Sequence, residues 1–349
     1  MASWTGSISA AVPKVAVFST GGTIASKRSA DGAASPNLTA DDLVAAVPQL
    51  ADVASIEAVS FRQVASSELT VSDLIELVER IRHAVADGAT GTVITQGTNT
   101  IEETSFVLDL LWDRAEPIVV TGAMRHSGLA GADGPANLLA SAVVAASPLA
   151  RDLGCVVVFN DEIHLPLFVR KMHTSNPATF RSPLTGPIGW IAENRLRIAL
   201  RPNMRHHIAI SDVPAAVPAV GLVKVTLGDD GRTLTTLGSL GYEGLIVEAT
   251  GGGHVPRAMV EPLAMLAQQM PVVLASRTGA GEVLHSTYGF PGSETDLLKR
   301  GLIHGGILDG PKSRLLLTML LLAGAEREII SEAFAAIGVP GSRPAFCTA

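Results

Sequence analysis

Hydroxyl side chains cluster where short apolar runs end. Val15–Phe18 leads into Ser19-Thr20-Gly21-Gly22-Thr23. A run rich in β-branched residues that opens into paired glycines reads as a buried strand followed by a sharp turn. Glycine admits φ > 0 and the close approach of another group, so Thr20 and Thr23 are the first candidates for chemistry. Taken alone, this stretch favours an ordinary strand-to-loop turn with its threonines satisfying backbone groups. Three further clusters repeat the pattern: Ser66-Ser67-Glu68, Thr98-Asn99-Thr100 and Thr121–Arg125. In a parallel sheet such strand ends converge on one edge, where open α/β folds bind ligands. Lys171 follows in a long mixed segment. A threonine hydroxyl is a weak nucleophile near neutral pH until a base takes its proton. A lysine whose pKa is lowered by burial is such a base. Amide hydrolysis needs that pairing together with N–H groups for the oxyanion.

Other chemistries find less support. The sequence has no GxSxG elbow, no HExxH and no CxxC, and its first loop lacks GxGxxG spacing, which disfavours an α/β-hydrolase, common zinc sites and a dinucleotide site. His206-His207 are adjacent, and His164 lies near Asp161 and Glu162. For His164 a hydrogen-bonded or surface role outweighs a ligand role. The expectation is therefore no metal and no organic cofactor.

Composition narrows the class. An apolar content of 47% against 17% charged residues supports a sizeable core and excludes a disordered chain. The net charge of -7, without a basic run, and aromatics at 4% argue against a nucleic-acid partner. The two cysteines, Cys155 in an apolar run and Cys347 near the end, form no disulfide framework. They point to a reducing compartment, and the expected location is the cytoplasm. Met1–Pro13 shows no signal-peptide pattern, and no apolar stretch reaches the roughly 20 residues of a membrane helix.

The elements that must position these residues alternate. The spacing predicts strands at Val15–Phe18, Ile56–Phe61, Thr92–Thr95, Pro117–Thr121 and Gly154–Phe159. Between them it predicts a helix capped by Thr39, with Asp42 in its first turn and Pro48 closing it. Further helices are expected over Thr70–Ala86, Ile101–Trp112 and Pro135–Ala146. This βα rhythm predicts an α/β protein whose larger N-terminal, mostly parallel sheet is covered by helices. Glu162 to Asn194, with several prolines, reads as a long functional segment. Residues 1–210 form the expected catalytic domain, 211–219 a linker, and 220–349 a smaller α/β domain. In the latter, strands or their approaches are expected at Leu245–Glu248, Val272–Ala275 and Leu302–Leu308, with helices at Ser313–Leu322 and Glu326–Ile337.

Four stretches together carry a resemblance. TGGTIA at Thr20–Ala25, TQGTNTIEET at Thr95–Thr104, TGAMR at Thr121–Arg125 and ADGPANL at Ala132–Leu138 resemble the bacterial-type L-asparaginase/glutaminase family over nearly the whole chain. The resemblance implies two α/β domains and hydrolysis of a side-chain amide, as of L-asparagine or glutamine, to acid and ammonia without a cofactor. It also implies a homo-oligomer, a dimer of intimate dimers in which a neighbour completes each site. By motif, Thr23 resembles the nucleophile, and Thr98 with Lys171 the pair that moves protons. Ser66 resembles the residue that holds the substrate carboxylate, with Ser67 beside it. Gly97, Asn99 and Ala123 fall at substrate-binding positions. Glu282, in Gly281-Glu282-Val283, resembles the acid that reaches in from the neighbouring subunit.

Three departures stand out. The family pattern HGTDT reads QGTNT here, so the aspartate that meets the substrate α-ammonium is replaced by Asn99. Asn keeps the shape and loses the charge, and a charge-assisted hydrogen bond is roughly twice as strong as a neutral one. The tyrosine usual on the loop after the first motif is missing between Ile24 and Leu38, and the GNGN-like stretch reads Gly251-Gly252-Gly253-His254. These changes set two alternatives beside an asparaginase: an amidase for a related small amide without a free α-ammonium, and a catalytically silent binder of small ligands.

Overall fold

The computed structural model describes residues 12–28, 34–36, 38–203, 205–210 and 213–338. Cys347, most of the Met1–Pro13 stretch and the first residues of the expected linker lie outside them. The first unit contains β1 (Lys14–Gly21), β2 (Ser26–Arg28), β3 (Ala34–Pro36), β4 (Ser55–Val64), β5 (Gly91–Thr95), β6 (Ile118–Thr121) and β7 (Cys155–Phe159). It continues through β8 (Glu162–His164), β9 (Arg170–Lys171), β10 (Phe180–Arg181), β11 (Gly189–Ala192) and β12 (Arg195–Ile198). Its helices are α1 (Ala40–Ala45), α2 (Val71–Ala86), α3 (Ile101–Leu111) and α4 (Gly134–Ala146).

The main sheet has eight strands in the order β12-β11-β8-β7-β6-β5-β1-β4. The strands from β4 to β7 pair in parallel, as the βα rhythm predicts. The remainder of the sheet is antiparallel. The long mixed segment from Glu162 to Asn194 is therefore bounded by two tight hairpins. Asn160 and Asp161 turn β7 into β8, and Glu193 and Asn194 turn β11 into β12, all with φ between +52° and +61°. Positive φ at both central residues is what a two-residue hairpin matched to strand twist requires.

Local chemistry explains the element boundaries. Thr39 accepts from Asp42 N–H while Asp42 Oδ2 accepts from Thr39 N–H, and Thr70 and Asp73 repeat this reciprocal cap at the start of α2. Leu74, Leu77, Val78 and Ile81 bury one stripe of α2, and each such side chain contributes about 1.5–3 kcal/mol on leaving water. The central strands β1, β5, β6 and β7 are buried on both faces because helices cover both. Ala16 and Phe18 face α2 and α3, whereas Val15 and Val17 face α1 and α4.

The second unit holds β13 (Val220–Lys224), β14 (Gly244–Ala249), β15 (Val272–Ser276) and β16 (Ile303–His304), parallel in that order. Helices α5 (Leu234–Leu237), α6 (Arg257–Gln269), α7 (Glu294–Lys299), α8 (Gly310–Leu322) and α9 (Arg327–Ala336) accompany it. The Leu302–Leu308 stretch forms strand over two residues only, because Gly305 and Gly306 turn the chain away. The layer under α2 and α3 runs on without a break into Ile246, Leu315, Leu316 and Phe334, so the two units share one core. Among the described residues no helix is long and apolar enough to cross a membrane.

Candidate active site

Backbone contact between glycines sets the site. Gly22 holds φ +82°, and a Cβ there would stand 2.0 Å from Gly97 N and 2.2 Å from Gly97 Cα. The turn after β1 thus lies against the turn after β5, and each glycine in this contact is followed by a candidate threonine, Thr23 and Thr98. Gly97 approaches Ser66 in turn: a Cβ on Gly97 would sit 2.8 Å from Ser66 Oγ. A Cβ on Gly122 would lie 3.3 Å from Thr98 Cγ2, and buried Ala123 packs on Gly134 beside Ile24. All four hydroxyl-bearing strand ends therefore meet at one sheet edge.

The structure separates the two threonines of the first loop. Thr20 is 1% exposed and donates to the Thr95 carbonyl at 3.3 Å, the backbone-satisfying role. Thr23 is half-buried at the start of a short 3-10 turn.

Around Thr98 the side chains form a chain of bonds. Lys171 Nζ donates to Thr98 Oγ1 at 2.8 Å and to Asn99 Oδ1 at 3.1 Å. Burial lowers the Lys171 pKa from its ordinary 10.5, against the opposing pull of the Glu102 carboxylate. Glu102, in the first turn of α3, accepts the Lys171 backbone N–H at 2.9 Å, and burial raises its own pKa. Thr100 Oγ1 donates to the Ser66 carbonyl at 3.0 Å, tying the Ser66 turn to this cluster. Ser66 Oγ is buried with no partner among the described residues. A buried hydroxyl left unpaired is costly, which suits a group that meets a ligand. Ser67 and Asn99 are exposed beside it.

The contacts that hold the segment leading to Lys171 have no motif to reveal them. Lys312, at the start of α8, is 1% exposed, and its amine donates to the carbonyls of Val169 at 2.6 Å and Leu167 at 3.3 Å. Arg170 donates to the Gly279 carbonyl at 3.2 Å and pairs with Asp309 at 3.5 Å. The second unit thereby grips the strand that carries Lys171. Sequence reading passed over Lys312 because it precedes an apolar run, whereas Glu102 stands inside the TQGTNTIEET stretch. Asp133 shapes the loop after β6: its carboxylate accepts from the Met124 and Arg125 N–H groups.

Glu282 stands apart. It is exposed on the segment between β15 and α7 and acts electrostatically on His304. Among the described residues it makes no bond to Thr98, Lys171 or Ser66.

His164 has a structural role. It is fully buried, with Nδ1 2.9 Å from Ser182 Oγ. Burial, aided by the Arg181 charge, lowers its pKa from 6.5 to about 4. The unfolded chain therefore takes up a proton below pH 6.5 that the folded chain refuses until about pH 4. Stability tied to this group is complete above pH 6.5 and lost across that window as pH falls, up to about 3 kcal/mol. Urea unfolding at pH 7 and pH 4.5 is expected to show a steeper acid loss in the wild type than in His164→Gln. Equal losses would contradict the assignment.

Comparison with known proteins agrees along the chain. A family model described as asparaginase, N-terminal, matches residues 14–204, and one described as the glutaminase/asparaginase C-terminal domain matches residues 219–334. An L-asparaginase of Bacillus licheniformis is 33% identical over 315 residues, covering 90% of this chain and 97% of that protein. A probable L-asparaginase of Deinococcus radiodurans is 36% identical, covering 93% of this chain and 98% of its own. The crystal structure of a probable cytoplasmic L-asparaginase from Campylobacter jejuni superposes with a TM-score of 0.83 at 29% identity, over 93% of this chain and 99% of that one.

Proposed function

Since the chain belongs to the bacterial-type asparaginase/glutaminase family, we propose a mechanism for its amide hydrolysis that runs through Thr23, Thr98 and Lys171. The protein is an asparaginase-like amidohydrolase. In the proposed reaction Thr23 Oγ attacks the side-chain amide carbon and its proton passes to the Thr98–Lys171 pair. Backbone N–H groups beside Thr98 hold the oxyanion. The C–N bond then breaks, the stored proton goes to the leaving nitrogen as ammonia, and a threonyl ester remains. Water attacks that ester with the same pair as base, releasing the acid and restoring the hydroxyl.

The observation that supports this reading best is the 2.8 Å bond from Lys171 Nζ to Thr98 Oγ1. A lysine whose pKa is lowered by burial accepts a proton at a pH where an exposed lysine stays charged. The unpaired Ser66 hydroxyl supports a carboxylate-holding role, with Ser67, Gly97, Asn99 and Ala123 lining the rest. In the same reading residues 1–210 are the catalytic unit and 211–219 a linker. Residues 220–349 complete the site of a neighbouring subunit through the exposed Glu282, in a dimer of intimate dimers in the cytoplasm.

The test combines product and intermediate. Incubation with L-asparagine and L-glutamine is expected to release ammonia. Rapid acid quenching followed by peptide mass analysis is expected to find the acyl group on the peptide containing Thr23. Ammonia release undiminished in Thr23→Ala would remove the proposed nucleophile.

A further inference from the structure

We propose that Lys312 is a positioning residue for the reaction, and that its buried amine is kept to fix where Lys171 stands, not to hold the fold together. The inference rests on the reading of Lys171 as the proton acceptor. Its basis is how little of any sheet reaches that lysine. β9 has two residues and pairs only with β10, outside the eight-stranded sheet. A two-stranded ribbon is marginal by itself. The turn before it is tight, with the Phe168 and Val169 N–H groups both donating to the Leu165 carbonyl. Lys171 therefore takes its backbone position from contacts beyond that ribbon. Glu102 accepts its N–H at 2.9 Å. Arg170, part-exposed, reaches Asp309 and the Gly279 carbonyl. Of these anchors only Lys312 is buried, and it donates to the carbonyls of Val169 at 2.6 Å and Leu167 at 3.3 Å.

Local physics argues against a cation at this position. A lysine so fully buried is rare without a partner acid. Among the described residues no carboxylate forms an ion pair with Lys312, and Asp309, at the head of the same helix, pairs with Arg170 instead. The amine also belongs to the first turn of α8, at the positive end of the helix dipole. Burial lowers its pKa from 10.5, with Arg170 adding to the effect and Asp309, Glu102 and Glu103 opposing it. The α8 positions that follow, Leu315 and Leu316, are apolar and buried, so an apolar side chain at 312 would extend the core. Rules of this kind are broken where function requires it. The amine does two things for Lys171. It holds two carbonyls just ahead of it in the chain. Its charge also acts on Glu102, where burial raises the pKa, and favours the ionised acceptor of the Lys171 N–H.

Lys312→Met and Lys312→Gln set this role against a purely structural one. Both remove the charge, and Gln leaves a donor for one carbonyl. On the best amide substrate kcat is expected to fall about 10²-fold in Lys312→Met and less in Lys312→Gln, with KM within a few-fold of the wild type, the size of effect that a small misplacement of a reacting group produces. The urea midpoint is expected to stay level or rise, because an unpaired buried charge is gone. In the wild type kcat/KM is expected to rise with pH as Lys171, whose pKa burial lowers, gives up its proton. In both variants that rise is expected to move to higher pH, because a less closely held amine gains water. A lower urea midpoint with kcat and the alkaline rise unchanged overturns the proposal, as does failure of both variants to fold. If midpoint and kcat fall together, a rise displaced to higher pH supports the proposal and an undisplaced one overturns it. Lys171→Met separates the two readings. If it keeps the rise, Lys171 is not the proton acceptor and this inference falls with that reading. If it loses the rise while both Lys312 variants leave it in place, the positioning role alone fails.

Discussion

Replacing Lys171 with methionine is expected to lower kcat on the best amide substrate by about 10³-fold, with KM changed by only a few-fold. Methionine keeps most of the stem and removes the amine that donates to Thr98 at 2.8 Å. The pH profile carries the sharper signature. The amine works as a base in its neutral form, and burial displaces its pKa downward from 10.5. Wild-type kcat/KM is therefore expected to rise with pH through a midpoint below that of an ordinary lysine. In Lys171→Met that limb disappears. Steady-state ammonia release from pH 6 to about 10 checks both. A variant that keeps the alkaline rise would place the titrating group elsewhere, and one with full kcat would end the role of Lys171.

Gly22→Ala is expected to cost about 3–5 kcal/mol of stability and to abolish measurable turnover. The added carbon would enter the backbone of Gly97 at 2.0 Å, where no flexible side chain stands to move aside, and the residue would keep φ +82°. Gly88 is the natural control. It holds φ +92° with nothing within 4 Å of a new Cβ, so Gly88→Ala pays for left-handed backbone alone, about 1–2 kcal/mol. Urea unfolding of both variants separates strain from collision. If the two lose equal stability and Gly22→Ala still turns over, the contact between the two glycine turns does not register the threonines.

Much of this arrangement was legible in the residues. Periodicity located β1, β5, β6 and β7, because strands covered on both faces must be continuously apolar. Thr39 and Thr70 marked helix starts because their reciprocal bonds with an acid three residues on are local chemistry. The hairpins after Phe159 and Ala192 were not read from the chain. Their turns put Asp161 and Glu193 at positive φ without a glycine, so the usual punctuation is missing. The site divides in the same way. The strand-end clusters single out Thr98 and Asn99, and the need for a base singles out Lys171; their separate roles come from the family pattern, and the βα rhythm predicts the meeting of strand ends. Lys312 escaped because its significance depends on carbonyls more than 140 positions earlier, and long-range pairing of that kind leaves no local mark. Thr20 and Thr23 looked alike in sequence; burial and one bond to Thr95 distinguish them.

The grip of Lys312 on the Leu167 and Val169 carbonyls has a consequence for how the protein tolerates disturbance. The amine of Lys171 stands two residues beyond a clamp supplied by the other half of the chain. Loosening along that seam would let the Lys171 amine drift from Thr98 while both sheets stayed whole. On the proposed reaction, the first symptom of damage would then be silence at the candidate site, well ahead of any melting of the scaffold behind it.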